Sequence, residues 1–218
     1  MIQFSRYKAA IFDLDGTLAD SMPVWDNICR DWLLSKGISA ERNLEQDMEK
    51  MTVTQSAEYV IGKYGIVLEP PRIQAEWQEM ALGQYERTIP LKDGAAELVR
   101  ALDAAGLRLA IATSGFPAAC EAVLGRHRIR GYFSAVVYTD EAGRNKSFPD
   151  VYLACARRLD TAPESCVVFE DLPGAASGVR AAGMDLAAVY DDHFAGQWEQ
   201  FKQAADYAIH SFRELLPL

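Results

Sequence analysis

Ile11-Phe12-Asp13-Leu14-Asp15-Gly16-Thr17-Leu18 is the stretch from which the rest of the chain can be read. The apolar run Ala9-Ala10-Ile11-Phe12 carries the chain through a buried strand and stops at two carboxylates, with Gly16 available for a turn. In a strand, Asp13 and Asp15 fall on the same side of the alternation. Two carboxylates held at a strand mouth are costly. A divalent cation offsets that cost, and a metal-bound carboxylate beside a free one suits nucleophilic and acid–base chemistry.

Outward from this strand, short apolar runs recur at Leu107 to Ala112, Ala135 to Tyr138, Cys166 to Phe169 and Leu186 to Tyr190, with a weaker one at Tyr207 to Ile209. Continuous apolar runs of this length predict parallel strands buried on both faces. Helical patterns lie between them, at Gly94 to Ala105, Pro117 to Gly125, Pro149 to Leu159 and Pro173 to Ala182. Strand and helix in alternation predict an α/β fold with a Rossmann-like, doubly wound parallel sheet.

One region breaks the rhythm. From Ser21 to Arg87 no strand is predicted; Met22, Trp25, Ile28, Cys29, Trp32 and Leu33 recur at helical spacing, and Gly37 reads as a helix stop. Amphipathic stretches follow at Asn43 to Met51, Gln55 to Tyr64 and Arg72 to Tyr85, with Pro70-Pro71 read as a break. The expected organisation is an α/β core of residues 1–20 plus 88–218 and an all-helical cap inserted at residues 21–87.

With 218 residues, the chain is long enough for such a core and a smaller accessory domain. Half the residues are hydrophobic, 24% are charged and the formal net charge is −9, so a nucleic-acid backbone is not an expected partner. An anionic substrate would need a local positive site. No apolar segment is long enough to span a bilayer, and the N-terminal residues lack a signal-peptide core. Cys29, Cys120, Cys155 and Cys166 show no paired or metal-ligand spacing, and free thiols in a cytoplasmic protein are expected. A monomer or weak homodimer is the expected state.

Four polar clusters follow apolar runs: Asp13/Asp15/Thr17, Thr113/Ser114, Lys146 and Glu170/Asp171. The carboxyl ends of parallel strands open onto one crevice, so these distant positions should converge. Lys146 differs in sitting further on, in the loop Asp140 to Ser147 before a helix that Pro149 could start. Asp13 then reads as a nucleophile toward a phosphoryl group. Asp15 reads as the acid that protonates the leaving oxygen and the base that deprotonates water. Asp171, Glu170 and Asp13 offer oxygen ligands for a hard cation. Thr113 and Ser114 offer hydroxyls and backbone N–H groups to the phosphoryl oxygens, with the positive end of the following helix behind them. Lys146 neutralises charge and restrains the nucleophile.

This arrangement resembles the haloacid dehalogenase superfamily, and within it the β-phosphoglucomutase-like phosphatases. The resemblance rests on Asp-x-Asp-Gly-Thr at 13–17, Thr-Ser at 113–114, the lysine at 146 and Glu-Asp at 170–171, in that order. It implies a helical cap, Mg2+, an aspartyl-phosphate intermediate and the backbone carbonyl of Asp15 in the metal shell. It further implies hydrolysis of a small phosphorylated metabolite, sugar phosphates among them. Phosphomutase activity and a catalytically weak phosphate-sensing role are the alternatives. Several positions depart from the family pattern. Lys146-Ser147-Phe148-Pro149-Asp150 lacks the first proline of Lys-Pro-x-Pro-Asp, Leu172 stands where a serine is frequent, and Ala175-Ala176 replaces a Gly-Ile pair. Trp25 stands at the position matching a histidine of the mutases.

The remaining candidates have simpler expectations. Thr17 should brace the first loop. Trp25 should pack within the helical insert or against the core, with substrate contact as the alternative. Lys50, Thr52 and Gln55 lie in a stretch that the resemblance puts over the site, where substrate contact and a solvated loop are the two expectations. His127, His193 and His210 are expected on the surface.

Overall fold

The computed structural model describes residues 2–48 and 51–218. Strands β1 (Ala9–Phe12), β2 (Arg108–Thr113), β3 (Phe133–Tyr138), β4 (Cys166–Glu170), β5 (Asp185–Val189) and β6 (Tyr207–Ile209) form one sheet. Their order is β3-β2-β1-β4-β5-β6, and every neighbouring pair is parallel. The sheet is doubly wound, as the alternating sequence predicts. β1 lies inside it, between β2 and β4, so the chain reverses its direction of sheet growth at the strand carrying the first motif.

All four residues of β1 are buried, yet they serve two cores. Ala10 and Phe12 join Leu109, Ile111, Val167 and Phe169 on one face; Ala9 and Ile11 join Ala110, Ala112 and Val168 on the other. Helices α5 (Ala95–Ala104) and α6 (Pro117–Arg126) contribute Leu98, Val99, Ala119 and Val123 to the first core. Helices α8 (Asp150–Arg158), α9 (Ala176–Ala181) and α10 (Trp198–Ala204) contribute Val151, Cys155, Val179, Trp198 and Phe201 to the second. A strand covered on both sides has no polar face, and its sequence therefore reads as one apolar run.

Between β1 and α5 the chain forms α1 (Met22–Ser35), α2 (Leu44–Met48), α3 (Val53–Tyr64) and α4 (Pro70–Arg87), with no strand among the described residues. Pro70 and Pro71 do not break a helix. They occupy its first turn, where a missing N–H costs nothing, so α4 starts two residues before the expected position. The two connections between this insert and the sheet run side by side: Asp20 N–H donates to Pro90 O at 3.0 Å and Lys92 N–H to Leu18 O at 2.9 Å.

Two further expectations are corrected. The stretch Asp140 to Ser147 is not all loop, because a one-turn helix α7 (Thr139–Ala142) follows β3 directly and is closed by Gly143. Residues 173–182 are not one helix; a 3-10 turn at Pro173–Ala175 precedes α9.

Candidate active site

β1 ends at Phe12, and the next residues turn rather than continue the strand alternation. Gly16 adopts φ +85°, a left-handed conformation that a side chain resists, and a Cβ there would collide with Asp171 Oδ2. The turn ends the alternation on which the shared side of Asp13 and Asp15 was inferred, and the two carboxylates take different partners. Asp13 faces Lys146, whose ammonium donates to Asp13 Oδ1 and, at 2.8 Å, to Glu170 Oε1. Asp15 faces the insert: Ser21 Oγ donates to its Oδ1 at 2.6 Å, and the Tyr85 hydroxyl donates to the same oxygen.

Asp13, Glu170 and Asp171 come together as a buried trio whose oxygens lie within 4.8 Å of one another. The carboxylate of Asp15 is not part of it. Thr17 Oγ1 donates to Asp171 Oδ1 at 2.6 Å, so this threonine braces the acidic residue of a distant strand end rather than its own loop. Tyr152 donates to Glu170 Oε1 at 2.9 Å, the oxygen that Lys146 also holds. Glu170 Oε2 is buried with no hydrogen-bond partner. Three carboxyls thus face one ammonium, and a buried carboxylate oxygen is left unpaired, which is expensive without a cation. The donor set is all hard oxygen, and a divalent cation would bring the trio and Lys146 to neutrality. Mg2+ fits these residues.

Burial sets the electrostatics. It is the largest influence raising Glu170, to about 7, and pushing Asp171 well above the usual carboxylate range, with Asp13 adding to both. Burial and then Asp13 raise Asp15, while Ser21, Tyr85 and Trp25 favour its charged form and pull the other way. The Trp25 indole N–H acts from beyond hydrogen-bonding geometry, since it has no bonded partner. Burial opposes the charge on Lys146, but Asp13 and Glu170 outweigh it and hold the ammonium protonated.

A cavity of about 210 Å3 opens over this cluster, with Asp13, Asp15, Ser114, Lys146 and Asp171 in its wall. Thr113 and Glu170 stand behind that wall, both fully buried. Thr113 Oγ1 accepts from Gly115 N at 2.9 Å and so shapes the turn that presents Ser114. Neither Thr113 nor Ser114 caps the helix that follows, and neither Glu170 nor Asp171 caps the one after β4. Gly178 lets α9 pass beneath the Lys146 loop, because a Cβ there would collide with the carbonyl oxygen of Lys146.

The model of the haloacid dehalogenase-like hydrolases matches residues 7–183, which takes in all four motif clusters. The chain belongs to this family. The hydrolase is 33% identical over 186 residues to hexitol phosphatase A of Escherichia coli, covering 84% of this chain and 83% of that one. It is 32% identical over 191 residues to fructose-1-phosphate phosphatase YqaB of the same organism, covering 85% and 98%. A crystal structure of CbbY from Rhodobacter sphaeroides in complex with phosphate superposes with a TM-score of 0.83 at 25% identity, covering 96% of each chain. The hydrolase therefore groups with the phosphatases of its superfamily.

Several residues of the site were invisible to sequence reasoning. Tyr85 is the last of Ile73, Trp77, Ala81 and Tyr85, a run spaced every four residues along α4 that marks a buried helix face and nothing more. Ser21 and Tyr152 carry no motif. Thr52 and Gln55, expected near the substrate, are engaged in a reciprocal capping box at the start of α3. Met48, Met51, Val53 and Ser56 line the cavity instead, and Lys50 lies outside the described residues. Trp25 packs against Phe116 and Tyr85, as expected, and also lines the cavity. Of the histidines, His210 is exposed, His127 is half-buried with its ring nitrogen 3.0 Å from Ile89 O, and His193 is exposed on the cavity rim.

Proposed function

We propose that the hydrolase is a Mg2+-dependent phosphatase that releases phosphate from a small phosphorylated metabolite through an aspartyl-phosphate on Asp13. One observation carries this reading: Asp13, paired with Lys146, shares a cavity wall with Asp15, Ser114 and Asp171 although the five are scattered along the chain. Asp13, Glu170 and Asp171, with the backbone carbonyl of Asp15, would hold Mg2+, which supplies charge neutralisation for the phosphoryl oxygens.

An Asp13 oxygen attacks phosphorus while the Asp15 carboxyl protonates the departing alcohol oxygen. Asp15 then accepts a proton from the water that attacks the phosphorus of the aspartyl-phosphate, which returns Asp13 as a carboxylate and frees phosphate. The raised affinity of Asp15 for its proton suits the first step. Lys146 keeps Asp13 oriented and lowers the repulsion between that carboxylate and the incoming dianion. Ser114 donates to the phosphoryl oxygens, and Thr113 holds its turn in place. Enzymatic acceleration of phosphate-monoester hydrolysis reaches ~10²¹-fold, and general acid catalysis supplies only ~10²–10⁴ of it, so lysine, hydroxyl and cation must share the task.

The helices of residues 21–87 act as a cap that encloses the substrate and excludes bulk water. Enclosure favours small metabolites over phosphoproteins and nucleic acids, and sugar phosphates enter as candidates because the two relatives are named for them. The four cysteines are buried and form no disulfide, which fits a cytoplasmic setting. No helix among the described residues is long and apolar enough to cross a membrane. Trp25 at the position of the mutase histidine leaves transfer to a second sugar hydroxyl without its acid or base.

The test is phosphate release from acetyl phosphate with Mg2+, compared between the native enzyme and Asp13→Asn. Turnover is expected to fall by about a thousandfold or more in the variant, in the range seen when a nucleophile is removed. Equal rates would remove Asp13 from the mechanism.

A further inference from the structure

We infer that Arg126, in the last turn of α6, is a positioning residue for the proton transfers of Asp15: it fixes the end of α4 so that the Tyr85 hydroxyl stays on that carboxyl. The inference rests on the phosphatase reading above. Arg126 lies outside every motif cluster of the sequence.

The Arg126 guanidinium reaches from the core to the close of the insert. Its Nε donates to Tyr85 O at 3.3 Å and its Nη2 donates to Ile89 O, which also lies 3.0 Å from the His127 ring nitrogen. These carbonyls need an outside donor. α4 ends at Arg87, and the last carbonyls of a helix have no partner within it. Gln84 O accepts from Thr88 N–H at 2.8 Å, Thr88 Oγ1 at 3.1 Å and Ile89 N–H at 3.2 Å. Ile89 N–H is the donor that a longer helix would turn to Tyr85 O. Here it goes to Gln84 O, and Arg126 takes its place at Tyr85 O. The guanidinium also sits at the C-terminal ends of two helices, α4 and α6, where positive charge is favoured.

Arg126 has no competing task. Among the described residues no carboxylate pairs with it, and it is not in the cavity wall. Its donors go to the backbone that carries Tyr85, and Tyr85 in turn donates to Asp15 Oδ1. The turn bearing Tyr85 is thus tied to the core as well as to the insert. α6 makes a firm reference for it. Ala119, Cys120, Val123 and Leu124 bury that helix in the core, and it begins directly after the turn that presents Ser114. One helix of about 15 Å therefore has the hydroxyl proposed for the phosphoryl oxygens just before its start and the clamp on Tyr85 at its end. Phosphoryl group and proton donor are set against a common frame, and a misplacement of about 1 Å between such groups can cost about a hundredfold in rate.

The test is a double-variant cycle on acetyl phosphate turnover with Mg2+, using Arg126→Met, Tyr85→Phe and the two combined. Acetate departs with little help from an acid, so the effect falls on the second step, where Asp15 takes a proton from the attacking water. Arg126→Met is expected to lower kcat by about tenfold with KM little changed. The double variant is expected to lose no more than the larger single loss, since both changes act through one hydroxyl. Arg126→Lys keeps the charge but not the fork that reaches two carbonyls, and it enters the same cycle with the same expectation should Arg126→Met fail to fold. Losses that multiply, or Arg126 variants as active as the native enzyme, would overturn the inference and leave the phosphatase reading intact. Absence of turnover by the native enzyme would overturn the phosphatase reading itself.

Discussion

Asp15 and Asp13 are separated by one residue, and their partners make different chemistry of them. Asp13 has an ammonium beside it; Asp15 has two hydroxyls and an indole. Tyr85 donates to Asp15 and so favours its charged form. Tyr85→Phe should therefore raise the proton affinity of Asp15 further and move the alkaline limb of the kcat/KM profile to higher pH. Turnover should drop by about tenfold, because the acid is less well placed. A profile that keeps its limb would show that Tyr85 only packs. Thr17 offers a second test. Its hydroxyl orients Asp171 without lining the cavity. Thr17→Val should raise the Mg2+ concentration for half-activity by roughly tenfold, and Asp171→Ala by more. An unchanged metal titration in both would take Asp171 out of the metal site. The meeting of Asp13, Asp15 and Asp171 was legible because each stands at the end of an apolar run, and that of Lys146 because of its place in the order of clusters, although it lies further on in a loop. Tyr85 and Tyr152 were not, since a buried tyrosine on an apolar helix face looks the same whether its hydroxyl meets a catalytic carboxyl or a structural one.

The elements were legible to the extent that burial imposes a pattern. The inner strands β1, β2, β4 and β5 stand out because two-sided covering leaves them no polar face, the edge strands β3 and β6 less so, and the insert because its helices interrupt the strand rhythm. The errors fell where local chemistry has two readings. A proline pair can end a helix or open one, and Pro70-Pro71 open α4. A Thr-x-x-Gln pattern can face a ligand or cap a helix, and Thr52 with Gln55 cap α3. The loop carrying Lys146 shows how tightly elements fix the site. It rests on α9 through Gly178, where there is no room for a methyl group. Gly178→Ala should lower the unfolding free energy by about 1–3 kcal/mol in a denaturant titration, through forced overpacking. It should also lower kcat, by displacing the ammonium from Asp13. Full stability and activity would mean that the backbone of the Lys146 loop yields freely.

For the molecule as a whole, the buried acidic trio makes stability depend on pH in an unusual direction. Glu170 is raised from 4.5 to about 7 in the folded protein, and Asp171 is raised as well, so the folded state holds protons that the unfolded chain has lost. Stability without metal should then fall as pH rises from about 4.5 through 7, the reverse of a salt-bridged carboxylate. Lys146 adds no slope in this window, since its ammonium stays protonated throughout. Saturating Mg2+, if held by the deprotonated trio as proposed, should flatten the decline. Thermal melts with Mg2+ and with a chelator across this range would show it, and parallel curves would argue against a cation among these three residues.

The two hydroxyls on Asp15 come from opposite ends of the helical insert: Ser21 sits just before α1, and Tyr85 in the last turn of α4. Asp15 is therefore tethered to both of the segments that join the insert to the sheet. On the mechanism proposed above, any rocking of the insert would break or remake these bonds, and so would couple the latch over the substrate to the trigger of proton transfer.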